Sequence, residues 1–349
     1  MPFVTRMRPE PVIAVLLLAF AIAIPWMGPS KYVLNQLVLF FIWAGIVTQW
    51  NLVFGVAGIF SLAQMLVFAT GGYSAAMISL YLGWSLWITA PIGAVIAVVA
   101  STIVGAATLR LRGVYVALLT LTFAVIMRTM IVTDTDCFFY KGVTCYNFTG
   151  GPRGLSRFGD FHFRDWLGFK HAIWGNYYLG LFLLSVGTVF AFTVIRSPLG
   201  HVFRALRDNE IVASTRGINR VKYQLIVFAL SAFFTGLMGG FYAGHFKAMG
   251  PTILDLSTML FLLSMMVVGG LGKPWGPLLG CALMMFVDDA LKDFAEWRMV
   301  GFGLITILFI LFMGKGVAGL IEDVWSWLLR GAPLRVGARE VSLMRRQQS

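Results

Sequence analysis

Charge is what this 349-residue sequence has least of. Asp, Glu, Lys and Arg make up 12% of it, about half the share found in ordinary soluble domains. Apolar residues make up 59%, and the mean hydropathy is +0.83. That balance excludes a water-soluble globular domain. The sequence also has no GxxxxGK[ST] run, so any nucleotide chemistry must come from another chain. Its four histidines, His162, His171, His201 and His245, are scattered. No His/Asp/Glu cluster has metal-ligand spacing, and no Ser or Cys has a local base, which argues against a metal centre and an intramembrane hydrolase. Cysteine is scarce, with three residues. Cys281 lies in an apolar run and reads as a small core filler. Cys137 and Cys145 share one loop, and their spacing is compatible with a disulfide in an oxidising compartment.

What is present instead is a series of apolar runs. A bilayer core needs roughly 20 apolar residues per helix, fewer where the helix is buried among others. Ten crossings are predicted on that ruler: 11–28, 33–55, 58–82, 85–108, 113–132, 176–195, 223–246, 257–272, 275–290 and 299–316. The first follows Arg6 and Arg8 but has no small-x-small cleavage site, so it is expected to be a retained span. The third carries Gly55, Gly58, Gly71 and Gly72 around Ser61 and Gln64, the composition of a broken or re-entrant segment near 55–82. The expected class is an all-α polytopic membrane bundle: one domain over 1–330 and a basic tail over 331–349.

The formal charge of +12 needs no nucleic-acid partner. With the N-terminus inside, most Lys and Arg fall in 1–10, 109–112, 196–222, 273–274 and 315–349. That bias orients both termini toward the cytoplasm, with 133–175 as an outer loop. Asp288, Lys292 and Glu296 recur every four residues; they are expected to form a solvated helix end, the alternative being a proton relay. Gly269-Gly270-Leu-Gly272 and Pro274-Trp-Gly276-Pro277 read as a tight turn, or alternatively as a hinge.

One polar interruption stands out: SPLGHVFRALRDNEIVASTRGINRVKYQ, 197–224. Ser197-Pro198 is a helix start with a capping hydroxyl. Val202, Leu206 and Ala213, with Phe203 beside them, fall near one face. Arg204 with Asp208, and Arg207 with Glu210, are at pairing distance along a helix. Gly217 is a stop, and Asn219 can cap the following helix. Such a segment is either a basic linker that pins topology or an amphipathic docking element for a soluble partner.

This block, GHVFRALRDNEIVASTRGINRVKYQ, resembles the coupling segment of ABC-importer permeases. NLVFGVAGIFSLAQMLVFATGGYSAA (51–76), LRLRGVYVALLTLTFAVIMR (109–128) with TGGPRGLS (149–156), and VVGGLGKPWGPLLGCAL (267–283) resemble one branch, the LivM-type permeases of branched-chain amino acid importers. The likeness runs from about residue 35 to 316. Gln64, where relatives often have His or Asn, and the long insert 134–148 depart from the pattern.

The resemblance implies a transport subunit without its own ATPase. Its partners would be two cytoplasmic ATP-binding subunits carrying ATP and Mg, a second related permease subunit, and a periplasmic binding protein that delivers the cargo. Arg204, Arg207, Asp208 and Glu210 would make polar contacts with the ATPase, and Val202, Leu206 and Ile211 apolar ones, with Gly217 ending the helix. Gly58, Ser61, Gln64, Thr70, Gly71 and Tyr73 would line the passage, or alternatively serve as helix–helix glue. Branched-chain or other hydrophobic amino acids are the implied cargo; urea, amides, aromatic acids and a proton-coupled transporter are the alternatives.

Overall fold

A computed structural model describes residues 10–111, 113–141, 144–292, 298–312 and 316–320. Among them the chain is almost entirely helical: α1 (Glu10–Ala23), α2 (Lys31–Asn51), α3 (Gln64–Leu82), α4 (Leu86–Thr108), α5 (Val114–Thr133), α6 (Phe163–Arg196), α7 (Pro198–Asp208), α8 (Glu210–Thr215), α9 (Arg220–Phe246), α10 (Leu256–Gly269), α11 (Gly276–Ala290) and α12 (Arg298–Phe312). Two short antiparallel pairs interrupt them. Strands β1 (Phe139–Lys141) and β2 (Thr144–Tyr146) form a hairpin inside the predicted outer loop, and β3 (Leu155–Ser156) pairs with β4 (Ala248–Met249).

Among the described residues six segments are long and apolar enough to cross a bilayer: Lys31–Val56, Gln64–Leu82, Leu86–Thr108, Val114–Thr133, His171–Arg196 and Arg220–Phe246. They coincide with six of the ten predicted crossings. The other four predicted crossings fall on α1 and α10–α12, helices of 14 or 15 residues, roughly 21–23 Å long. The predicted break near 55–82 lies at its start. The last turn of α2 widens into a π-turn over Leu52–Val56, residues 57–63 leave the helix, and α3 then runs unbroken. Helix α6 starts before the predicted span and is interrupted at Gly168, whose φ is +73°.

The residues up to Leu263 form one compact unit. Its centre is α9, packed against α3 and α4, with α2 joining α6 and α9. The α3–α4–α9 seam is made of residues without side chains. A Cβ on Gly71 would overlap the Gly236 carbonyl, one on Gly239 would overlap Phe68 O, and one on Gly93 would overlap Gly71 O. Close backbone approach of this kind is how apolar helices gain contact where water expulsion supplies no drive.

The helices alternate in direction, so the unit has two polar ends. At one end Tyr81 donates to Phe148 O at 2.6 Å, Trp87 Nε1 donates to Phe161 O at 3.2 Å, Arg128 pairs with Asp255 at 2.6 Å, and Lys247 pairs with Asp160. The second unit begins at Ser264. Within it, the Gly269–Gly276 turn is closed by Lys273 N–H on Gly270 O and Gly276 N–H on Lys273 O, both at 3.3 Å, the tight turn read from the sequence. Asp289 and Lys292 pair at 3.2 Å and are half exposed; Glu296 lies outside the described residues.

Candidate functional site

The other end of the first unit gathers the polar segment 197–220, the break at 57–63 and the α4–α5 connection. Its local structure follows from the sequence. Ser197 is extended and Pro198 opens α7. The Ser197 hydroxyl does not cap α7 as expected. Gly200 N–H is already satisfied by Ser197 O at 3.1 Å, and the hydroxyl instead donates back to Val194 O at 2.8 Å, closing α6.

The segment is two helices, where the sequence reading has one. Asn209 adopts an extended conformation (φ −156°, ψ 101°), and its side chain accepts from Val212 N–H at 3.1 Å, so α8 starts afresh. An Asn followed by Glu and an apolar pair is a start signal carried by the sequence itself. Gly217, at φ +81°, ends α8 as expected. Its N–H reaches Ser214 O at 3.0 Å and Ile218 N–H reaches Ala213 O at 3.2 Å, the double closure that a left-handed residue permits. Asn219 caps α9 through Lys222 N–H.

The predicted charge pairs do not form: the bend at Asn209 separates Arg207 from Glu210, while Arg204 and Asp208, both on α7, each take another partner. Arg204 instead caps the end of α6, donating from Nη2 to Ile195 O at 2.5 Å and from Nε to Gly200 O at 3.1 Å. A guanidinium is well suited to the carbonyl-rich, partly negative end of a helix. Arg207 donates from Nη1 to Gly55 O at 2.9 Å and from Nε to the neighbouring Asp208 at 3.0 Å. Glu210 pairs with Arg220 at 3.1 Å, and Arg220 also reaches Leu111 O at 3.1 Å, joining α8, α9 and the α4–α5 connection.

The buried face of α7 is centred on Phe203, 1% exposed, which packs with Leu52, Val53, Val56, Val194 and Val227. Val202 and Leu206 are half-buried beside it. Outward point Asp208, with 67% of its side chain exposed, and Ile211, 77% exposed. Of the residues expected to meet a partner, Asp208 and Ile211 have the most exposed side chains, while Arg204 and Arg207 bond to this chain's own carbonyls.

The break itself is well bonded. Ala57 N–H donates to Leu52 O and Ile59 N–H to Val53 O, each at 3.0 Å; Trp50 Nε1 donates to Ser61 O at 2.8 Å, and Leu62 N–H to Thr120 Oγ1 at 2.9 Å. Irregular backbone at membrane depth persists where protein satisfies it in this way. Gly58, at φ +71°, sits under the Arg207 side chain.

The remaining predicted passage residues are buried, Thr70 only partly. Ser61 accepts from Ala63 N–H at 3.2 Å, and Gln64 Nε2 donates to Thr235 Oγ1. Thr70 bonds back to Leu66 O at 2.8 Å, and Gly71 is part of the glycine seam. Tyr73 is 4% exposed, and among the described residues neither its hydroxyl nor Gln49 Oε1 has a hydrogen-bond partner. Among the described residues no group of His, Cys, Asp and Glu can hold a metal ion. Cys137 is disulfide-bonded and Cys281 is free and buried; the side chain of Cys145 lies outside the described residues.

Residues 32–313 match the family described as branched-chain amino acid transport system / permease component. Over 325 residues the chain is 29% identical to the high-affinity branched-chain amino acid transport system permease protein LivM of Escherichia coli (strain K12), covering 87% of this chain and 73% of that protein. It is 28% identical to the LivM protein of Salmonella typhimurium (strain LT2), covering 76% of this chain and 65% of the relative. The ribose import permease protein RbsC of Haemophilus influenzae is 26% identical over 149 residues, 39% of this chain and 46% of that one. No solved structure matches the chain. The family match runs through the six long apolar helices and the 197–217 segment, so the chain belongs to the branched-chain amino acid transport permease family, as a multi-pass, non-catalytic membrane component.

Proposed function

We propose that the chain is the permease subunit of an ATP-driven importer in a bacterial inner membrane, carrying branched-chain or other hydrophobic amino acids. A periplasmic binding protein delivers the cargo. Two cytoplasmic ATP-binding subunits, holding ATP and Mg, drive the cycle, and a second related permease completes the passage. Both termini are cytoplasmic in this reading, and α1 and α10–α12 supply the crossings beyond the six long ones. The printed names of the LivM relatives support the cargo class. The observation that carries the mechanism is the seating of α7 on the α2–α3 break through Phe203 and Arg207. A push on the outward residues Asp208 and Ile211 is thereby delivered to the start of α3. The passage runs beside the 58–73 stretch, where Gln64 and the unpartnered Tyr73 hydroxyl offer polar groups to a zwitterion. Gly71 shapes that stretch by letting α9 approach. The Cys137–Cys145 pair closes the outer hairpin.

The test is uptake into proteoliposomes holding the chain with its partner subunits and binding protein. Labelled leucine should enter only with ATP and be indifferent to uncouplers. Uptake of urea, an amide or an aromatic acid in its place would move the cargo assignment. Uncoupler-sensitive uptake without ATP would overturn the ATP-driven reading in favour of a proton-coupled transporter.

A further inference from the structure

We infer that Arg207, although 38% of its side chain is exposed, is a positioning residue that ties α7 to the break between α2 and α3, and is not a contact to the ATPase. The inference rests on reading 197–217 as the segment that the ATP-binding subunits push.

Four observations converge on it. The last carbonyls of any helix lack an intrahelical partner; Gly55 lies in the closing π-turn of α2, and its carbonyl receives Arg207 Nη1 at 2.9 Å. Gly58 has no side chain, and a Cβ there would overlap Arg207 Cγ, so the aliphatic stem of the arginine lies against the broken backbone. The exposed Asp208 holds the rest of the fork, with Nε and Nη2 each 3.0 Å from Oδ1. One turn earlier on the same face, Phe203 is buried among Leu52, Val53 and Val56. Helix α7 is thus fixed to the end of α2 at two points, one apolar and one charge-assisted. A planar guanidinium held at both edges transmits direction, where a lysine ammonium on a flexible stem fixes one point only. Beside this joint lies a cavity of about 270 Å³ lined by Gly58, Phe60, Leu206, Arg207 and Tyr223 among others, so the joint has free volume to move into.

A residue that only helps the fold would change yield and leave the stoichiometry of transport alone; a joint changes the stoichiometry. The experiment uses the assembled transporter. Arg207→Ala and Arg207→Lys are compared for retained ATP-binding subunits, rate of ATP hydrolysis, and cargo moved per ATP. The expected result for Arg207→Ala is full retention of the ATP-binding subunits, continued hydrolysis, and cargo per ATP lowered about tenfold, as loss of one charge-assisted hydrogen bond implies. Arg207→Lys should recover part of the ratio. If Arg207→Ala fails to accumulate, Arg207→Met, which keeps the stem over Gly58 and removes the donors, is read on the same ratio. An unchanged ratio overturns the inference. So does loss of the ATP-binding subunits, which would make Arg207 a docking contact. A wild-type complex that moves cargo with no hydrolysis would bring down the coupling reading, and this inference with it.

Discussion

The glycine seam of α3, α4 and α9 and the joint of α7 with the α2–α3 break are built on opposite principles. In the seam, backbone meets backbone because Gly71, Gly93, Gly236 and Gly239 put nothing in the way. In the joint, long side chains reach carbonyls: Arg207 to Gly55, Arg204 to Ile195, Arg220 to Leu111. A steric seam has one arrangement, since any shift opens a void or causes a clash. A joint of reaching side chains re-forms after small displacements. The contrast assigns rigidity to the seam and movement to the joint.

The largest expected effect is in the seam. Gly239→Val drives a branched side chain into Phe68 O and should cost on the order of 3 kcal/mol, read as loss of monodisperse protein on size exclusion. Tolerance of valine there would erase the contrast. Next comes Arg204→Ala, which strips one donor from the α6 terminus and one from Gly200 O in α7 and should cost about 2 kcal/mol. Amide exchange at Thr193–Arg196 should quicken while exchange along α3 and α9 stays slow; equal quickening everywhere would mean that the joint and the seam unfold as one. Smaller still is the Gln64–Thr235 hydrogen bond. A double-mutant cycle of Gln64→Leu with Thr235→Val should give a coupling of roughly 0.6 kcal/mol. A much larger value would make polar bonding, in place of glycine contact, the main tie between α3 and α9.

The smallest effect lies at the far end, in the Asp160–Lys247 pair. Partial burial acts to raise the Asp160 pKa, but the hydrogen bond and charge of Lys247, with His162 N–H, outweigh it and hold the carboxyl below its ordinary value. A depressed folded pKa stabilises the fold above the unfolded value of about 3.9. That contribution is lost as pH falls through the lower folded value. Lys247 is more than half exposed, so the contribution should stay below about 0.5 kcal/mol and shrink with salt. Thermal unfolding of Asp160→Asn and the parent should converge in acid; a gap that widens in acid would contradict the pairing.

Much of this was legible in the residues, and what was not has identifiable causes. The long apolar helices follow from composition and length. The Ser197-Pro198 start, the Gly217 stop and the Asn219 cap were readable because each depends on a few neighbouring residues. The Asn209 start is equally local, but the helical periodicity on either side of it is continuous and masks the bend. The directions of Arg204 and Arg207 were not readable, since a long side chain goes to whichever carbonyl the tertiary fold leaves open, here 9 and 152 residues away. Nor could Gly71 be matched with Gly236, because a glycine carries no signal of its partner. The family resemblance pointed to 197–217 as the docking segment, while the placement of that segment on the α2–α3 break came from the structure.

The most direct test of a moving joint beside a rigid seam is a pair of spin-label distances in the assembled transporter. One pair joins Arg216→Cys, on the exposed turn after α8, to Val99→Cys on α4; the other joins Val99→Cys to Phe233→Cys on α9. On adding ATP the first distance should change by about 2 Å or more, the scale of a helix shift, while the second holds constant. A first distance that stays fixed while cargo moves, or a seam distance that changes as much, would contradict the account.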